Sequence, residues 1–209
     1  YTEVLPQTRA KLPAGWAFGP AAEGDREQAI GFINDYYADR NLYTPMTLDD
    51  LSRFPNATPA DLLCLYDEQH RLRGAAWVWA PAPYAQVIPI KFDAMSKGWE
   101  KAVTAARRLG APLPQPPVEG QPLKTIHVRR LAFADQQAGK VIVGQLGNVV
   151  LERGAHSMSY VDDPRVGIPK RHQLVFTYPG HIGARLKPDS PTSFESLRAR
   201  PVFIDVSLT

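Results

Sequence analysis

Cysteine is nearly missing: one residue, Cys64, in a chain of 209. A single thiol excludes an internal disulfide framework and any zinc site built on cysteine ligands. It leaves a reducing cytoplasm as the simplest expected compartment, so the chain is expected to be cytoplasmic. No run of residues approaches the ~18 consecutive apolar positions of a membrane-spanning helix. The opening Tyr1-Thr2-Glu3-Val4-Leu5-Pro6 carries neither a basic leader nor an apolar signal core, so no membrane partner is expected. An excess of one charge is missing too. The 24 Lys and Arg stand against 21 Asp and Glu, a formal +3. These charges are scattered and form no stripe, which argues against nucleic acid as a partner and still suits a small anionic ligand. Internal repeats and low-complexity tracts are also lacking.

Proline is what the chain has in plenty. Its 20 copies are about twice the usual ~5%, and they cut the chain into short elements with ordered connectors. Hydrophobic residues at 44% and charged residues at 22% are ordinary globular values. At ~150 residues per domain the length predicts one domain over 1–209.

Gly15–Pro20 reads as a first strand. Asp25 with Gln28 three residues on forms a capping-box pattern, and Ala29, Ile30, Ile33, Tyr36 and Tyr37 then recur at helical spacing. A shorter helix is expected from Thr47, closing before Pro55. Asp61–Tyr66 and Leu72–Trp79, around the polar link Asp67–His70, read as an antiparallel hairpin. Val87–Phe92 allows a short strand. Asp93–Leu109 is helical, with Met95, Trp99, Ala102, Ala106 and Leu109 as its apolar stripe and Gly110 as its stop. Ala111–Val118 is a polyproline-type connector.

The stretch from Lys124 to Asp163 is the most informative. Alternation over Lys124–Phe133 puts His127, Arg129, Leu131 and Phe133 on one strand face and Ile126, Val128, Arg130 and Ala132 on the other. A polar break at Ala134–Gln137 leads into a helix from about Ala138 to Arg153, ended by Gly154. A strand at Ser157–Val161 completes a βαβ unit, and Leu174–Tyr178 and Val202–Ser207 read as closing strands. The fold class expected is α/β of the α+β kind: a mixed, mostly antiparallel central sheet with helices on both faces. Gly139, Gly144 and Gly147 inside the long helix each cost about 1 kcal/mol against alanine, so backbone must come close to something there. At Gly139, near the helix start, that can be a ligand phosphate; at Gly144 and Gly147 packing is the simpler reason.

The run Val128-Arg129-Arg130-Leu131-Ala132-Phe133-Ala134-Asp135-Gln136-Gln137-Ala138-Gly139-Lys140-Val141, with the helix to Gly154, resembles the coenzyme A-binding segment of GNAT-type acyltransferases. The family's (Q/R)-x-x-G-x-(G/A) loop is matched at Gln136 and Gly139 and departs at Val141. The order of strand, two helices, hairpin and key strand is also similar, so the resemblance spans about Gly15 to Val206, with motif detail only from Leu131 to Gly154. Two further departures are an insertion at about 93–122 and the lack of a tyrosine-bearing helix after Val161.

The resemblance implies acetyl-CoA or another acyl-CoA as co-substrate, no metal, and a small-molecule or peptide amine as acceptor; a homodimer is compatible with it. Backbone N–H groups around Leu131, Ala132 and Phe133 would polarise the thioester. Gln136, Gln137, Ala138, Gly139, Lys140 and Val141 would hold the pyrophosphate. His127 is the base by residue type and position, and a hydrogen-bonded strand histidine is the plainer account of it. Tyr160 is the nearest acid, with Tyr178 in reserve, and each equally suits a core aromatic. Asp135 reads as the cap of the helix and Cys64 as a buried small hydrophobe. His156, Asp162, Asp163, His172 and His181 lack metal-ligand spacing. Tyr36, Tyr43, Trp77, Trp79 and the proline insertion would line an acceptor groove poor in carboxylates, which disfavours polycationic acceptors. Two other readings compete: a catalytically degenerate GNAT-like binding domain, and an unrelated α/β module that holds another anion, such as a nucleotide phosphate.

Overall fold

The computed structural model describes residues 2–6, 8–40, 43–81, 86–161 and 173–177. Among them seven strands form one mixed sheet with α-helices. The strands are β1 (Thr2–Pro6), β2 (Ala17–Pro20), β3 (Leu62–Tyr66), β4 (Leu72–Trp79), β5 (Thr125–Phe133), β6 (Ser157–Tyr160) and β7 (Gln173–Thr177). They lie in the order β2-β3-β4-β5-β6-β1-β7. Only β5 and β6 pair in parallel; the other neighbours are antiparallel. The expected α+β class with a mostly antiparallel sheet is therefore present. The helices are α1 (Arg26–Tyr37), α2 (Asp50–Arg53), α3 (Ala94–Arg108) and α4 (Gln136–Glu152). Among the described residues no helix is long and apolar enough to cross a membrane.

Alternation in β3 and β4 builds two cores, one on each face of the sheet. Leu63, Leu65, Ala76 and Val78 pack with Ala138, Ile142, Val143 and Leu146 of α4. Leu62, Cys64, Ala75 and Trp77 pack with Ala29, Ile30 and Ile33 of α1. Both faces of these strands are covered, which is why β3 reads as an unbroken apolar run. The hairpin link is closed by Asp67, whose Oδ1 accepts from the N–H groups of Gln69 and Arg71 at 3.0 and 2.9 Å.

Several sequence expectations are corrected. The capping box at Asp25 does not form, because a 3₁₀ turn (Glu23–Asp25) already holds Asp25 in a helical conformation. Its carboxylate instead accepts from the Tyr66 hydroxyl at 3.0 Å. Val87–Phe92 is no strand: Val87 O and Pro89 O accept from Leu123 and Gly120 N–H, each at 2.8 Å, tying it to the end of the proline segment. The stripe of α3 stands only in part: Trp99 and Ala106 are half-buried, whereas Ala102 and Leu109 are exposed, Leu109 by 89%, and the buried residue is Val103. Val103 belongs to neither sheet core. β1, which no pattern announced, sits between β6 and β7. Tyr178, Val202–Ser207, Asp162, Asp163, His172 and His181 lie outside the described residues.

The largest correction concerns β5. Trp77 pairs with Arg130 but Val78 pairs with Val128, so Arg129 is an extra residue, a β-bulge. One inserted residue reverses the alternation beyond it. Ile126 and Val128 therefore share the α4 face with Leu131 and Phe133. His127, paired to Trp79 and Ser159, lies on the α1 face instead.

Candidate functional site

The site is a parting in the sheet. β5 and β6 pair only over Thr125–Ser157, Ile126–Met158 and His127–Ser159. Beyond His127, among the described residues, β5 runs on to Phe133 with β4 alone beside it. A strand edge leaves N–H and C=O groups that need partners. At Leu131 one side chain serves both: the Tyr37 hydroxyl donates to Leu131 O at 2.7 Å, and the Leu131 N–H donates to the same oxygen at 3.2 Å. Burial, partly offset by the Leu131 backbone, pushes the Tyr37 hydroxyl well above its ordinary range, so it stays protonated. Beside it, Tyr36 stands 5.3 Å from the Phe133 ring and packs against both cores. The last turn of α1 thus reaches into the parting.

His127 marks the closed corner of that parting. It is half-buried, with Nδ1 2.8 Å from Ser159 Oγ and its ring 6.2 Å from that of Trp79. The two arginines of the bulge lie on the same face. Arg129 stacks 3.6 Å over Phe54 and 4.6 Å over Trp77, while Arg130 stands 5.7 Å over Tyr43. Trp77, proposed as groove wall, is only 1% exposed and belongs to the α1-side core. Tyr160, the proposed acid, is equally buried and belongs to the α4-side core. His127 and Tyr160 thus occupy opposite faces of the sheet and are not brought together. Tyr37 shares the His127 face with the Ser159 and Tyr43 hydroxyls, and the sequence showed it only as part of a buried stripe. The Tyr36-Tyr37 pair at a helix end was the available signal, because adjacent residues on a helix point ~100° apart and cannot share one role.

The start of α4 lies one turn beyond β5. Gln136 and Gln137, expected in the polar break, form its first turn and are exposed, as is Lys140. Asp135 is the N-cap: its Oδ1 accepts from Ala138 N–H at 2.8 Å and its backbone carbonyl from Gly139 N–H at 2.9 Å. The Ala138 N–H, with the paired Arg73 guanidinium, holds the Asp135 carboxyl below the ordinary carboxylate range against partial burial. A carboxylate thus already sits where the helix dipole favours an anion. Gly139 is buried, and a Cβ there would lie 3.1 Å from the Phe133 ring, so this glycine packs on the end of β5. Gly144 makes a similar approach, 2.9 Å from Ala10 Cβ; Asn148 and Gln145 bind the Ala10 backbone beside it. Gly147 and Ala138 are buried, and Val141 is half-buried against the α4-side core. Gly154, with φ +61, ends the helix as expected.

Cys64 is fully buried, and burial pushes its thiol up to about 11. His156 Nδ1 accepts from Lys124 N–H at 2.8 Å, which accounts for that ring on structural grounds. Among the described residues no group of His, Cys, Asp and Glu side chains gathers to hold a metal ion.

No protein-family model matches the chain, and no curated protein matches it.

Proposed function

We propose that the chain is an acyl-CoA-dependent N-acyltransferase, with acetyl-CoA or a longer acyl-CoA as donor and a small-molecule or peptide amine as acceptor, on a GNAT-like fold. The observation that carries the reading is the parallel pair β5–β6, which opens after His127–Ser159 and leaves β5 running as an edge toward the N-terminus of α4. An extended, amide-bearing ligand can pair with such an edge as an added strand would. A thioester carbonyl beside it would find backbone donors. The exposed start of α4, at Gln136, Gln137 and Lys140, would take the phosphates, with Ala138, Gly139 and Val141 shaping it from within. Leu131, Ala132 and Phe133 supply the edge, and His127 the base that takes the amine proton. In the transfer the amine nitrogen bonds to the acyl carbon, the carbon–sulfur bond breaks, and the thiolate leaves with its electron pair. The amine attacks in its neutral form, and its nitrogen, cationic once bonded to the acyl carbon, gives a proton to His127 to leave the neutral amide.

A non-catalytic reading has its own support. The Leu131 polar groups are met by Tyr37, the anion position at α4 by Asp135, and Tyr160 lies across the sheet from His127. One measurement separates the readings. Thermal unfolding is followed with acetyl-CoA, coenzyme A and ATP; a ligand at 100 times its Kd adds about 2.7 kcal/mol. Acetyl-CoA and coenzyme A together, without ATP, support the coenzyme site, and acyl transfer to an amine panel then supports turnover. Stabilisation by ATP alone assigns a different anion-binding role.

A further inference from the structure

We infer that Tyr37 is a built-in competitor for the ligand at the β5 edge: its hydroxyl holds the Leu131 N–H and C=O that an extended ligand must bind, and it leaves when that ligand enters. The inference rests on the acyl-CoA reading and adds a gate to that site. Three observations carry it. One hydroxyl both donates to Leu131 O and accepts from Leu131 N–H, at 2.7 and 3.2 Å, which is the pair of bonds a neighbouring strand would make. The contact is made across the parting and not along the strand ladder, since β5 and β6 have already separated at His127–Ser159. The side chain belongs to the last residue of α1, where the helix hands over to Ala38, so a local change there can withdraw the ring while Ala29, Ile30 and Ile33 stay packed.

Competition of this kind lowers apparent affinity by the fraction of molecules in which the edge is free. Replacing the hydroxyl by hydrogen removes the competitor but keeps the ring and its contacts with Tyr36 and Tyr43, at 4.9 and 5.2 Å. The Leu131 groups then gain their bonds from the ligand.

The test uses the intact chain, with coenzyme A and acetyl-CoA as probes, in wild type and Tyr37→Phe. Calorimetry is expected to show binding about threefold to tenfold tighter in Tyr37→Phe, the worth of one net hydrogen bond. In wild type carrying ¹³C-labelled tyrosine rings, the Tyr37 resonance, assigned by its loss in the variant, is expected to move as coenzyme A saturates. A folded Tyr37→Phe that binds within twofold of wild type, or more weakly, overturns the inference. So does a Tyr37 resonance that stays put while coenzyme A binds; that readout needs no variant to fold, and it leaves the acyl-CoA reading standing. If neither protein binds either probe, the acyl-CoA reading falls and the gate falls with it.

Discussion

The two ends of the β5–β6 pair are built differently. At the closed end the strands satisfy each other through the parallel ladder over Thr125–Ser157, Ile126–Met158 and His127–Ser159, and just before it the His156 N–H donates to Lys124 O and the Lys124 N–H to the His156 ring, each at 2.8 Å. At the open end β5 is satisfied by a side chain from a helix, Tyr37. Ladder bonds are cooperative with the whole sheet, whereas a side-chain hydroxyl can be exchanged at the cost of about one net hydrogen bond. The closed end is therefore scaffold and the open end is replaceable. His127 stands at the boundary, held by Ser159 on one side and facing Trp79 on the other.

The strongest challenge to this contrast is His127→Gln. If the boundary carries chemistry, the variant keeps acyl-CoA affinity by calorimetry while turnover drops by roughly 10²–10⁴-fold, the usual contribution of one positioned base. Turnover within twofold of wild type would make His127 part of the scaffold.

A smaller effect is expected at Gly139, where function and packing now predict different things. The sequence suggested backbone approach to a phosphate, but the near neighbour is the Phe133 ring, 3.1 Å from where a Cβ would stand. Gly139→Ala sets overpacking against that ring, roughly 1–3 kcal/mol, against about 1 kcal/mol of helix propensity regained, so the urea midpoint without ligand should fall by less than the overpacking alone and reads how far the Phe133 ring yields. A fully stable variant that loses coenzyme A affinity would restore the phosphate reading.

Smaller again is Asp135. Asp135→Ala removes the cap and should cost about 0.5–2 kcal/mol, whereas Asp135→Asn keeps an acceptor but drops the charge, so coenzyme A should bind it more tightly if α4 takes the phosphates. The folded carboxyl lies below its unfolded value, so its stabilisation is complete above about pH 4 and is lost as pH falls through the folded value. Weaker coenzyme A binding in Asp135→Asn would move the anion away from α4.

Much of the frame was legible because it follows from periodicity. The hairpin, α1, α4 with its Asp135 cap and Gly154 stop, and the parallel strand after it all announce themselves within short windows. The misses within the sheet and at Tyr37 share a cause: each depends on distant chain. β1 joins the sheet beside β6, and nothing within Thr2–Pro6 specifies that neighbour. The bulge at Arg129 leaves no mark in Val128-Arg129-Arg130-Leu131, because it is defined only against Trp77 and Val78 of β4. That one residue moved His127 to the face opposite Leu131 and Phe133, and so separated it from Tyr160. Tyr37 was visible as a buried position, but its hydrogen bonds to Leu131 exist only once α1 lies across the sheet.

The mildest effect is expected at the closed end, where pH reads out a side-chain bond that flanks the ladder. His156 Nδ1 can accept from the Lys124 N–H only while that nitrogen carries no proton. Burial first, and the Lys124 ammonium second, hold the imidazole below its ordinary 6.5. The unfolded chain therefore binds more protons than the folded one in the window below 6.5. Stability from this contact is complete above that value and declines as pH falls toward the folded one. His156→Asn supplies an acceptor that does not titrate. Urea unfolding at a series of pH values should give a flatter pH dependence in the variant, with stability at neutral pH within about 1 kcal/mol of wild type. An identical slope in both proteins would assign the pH dependence to another group and leave the Lys124–His156 bond without a part in it.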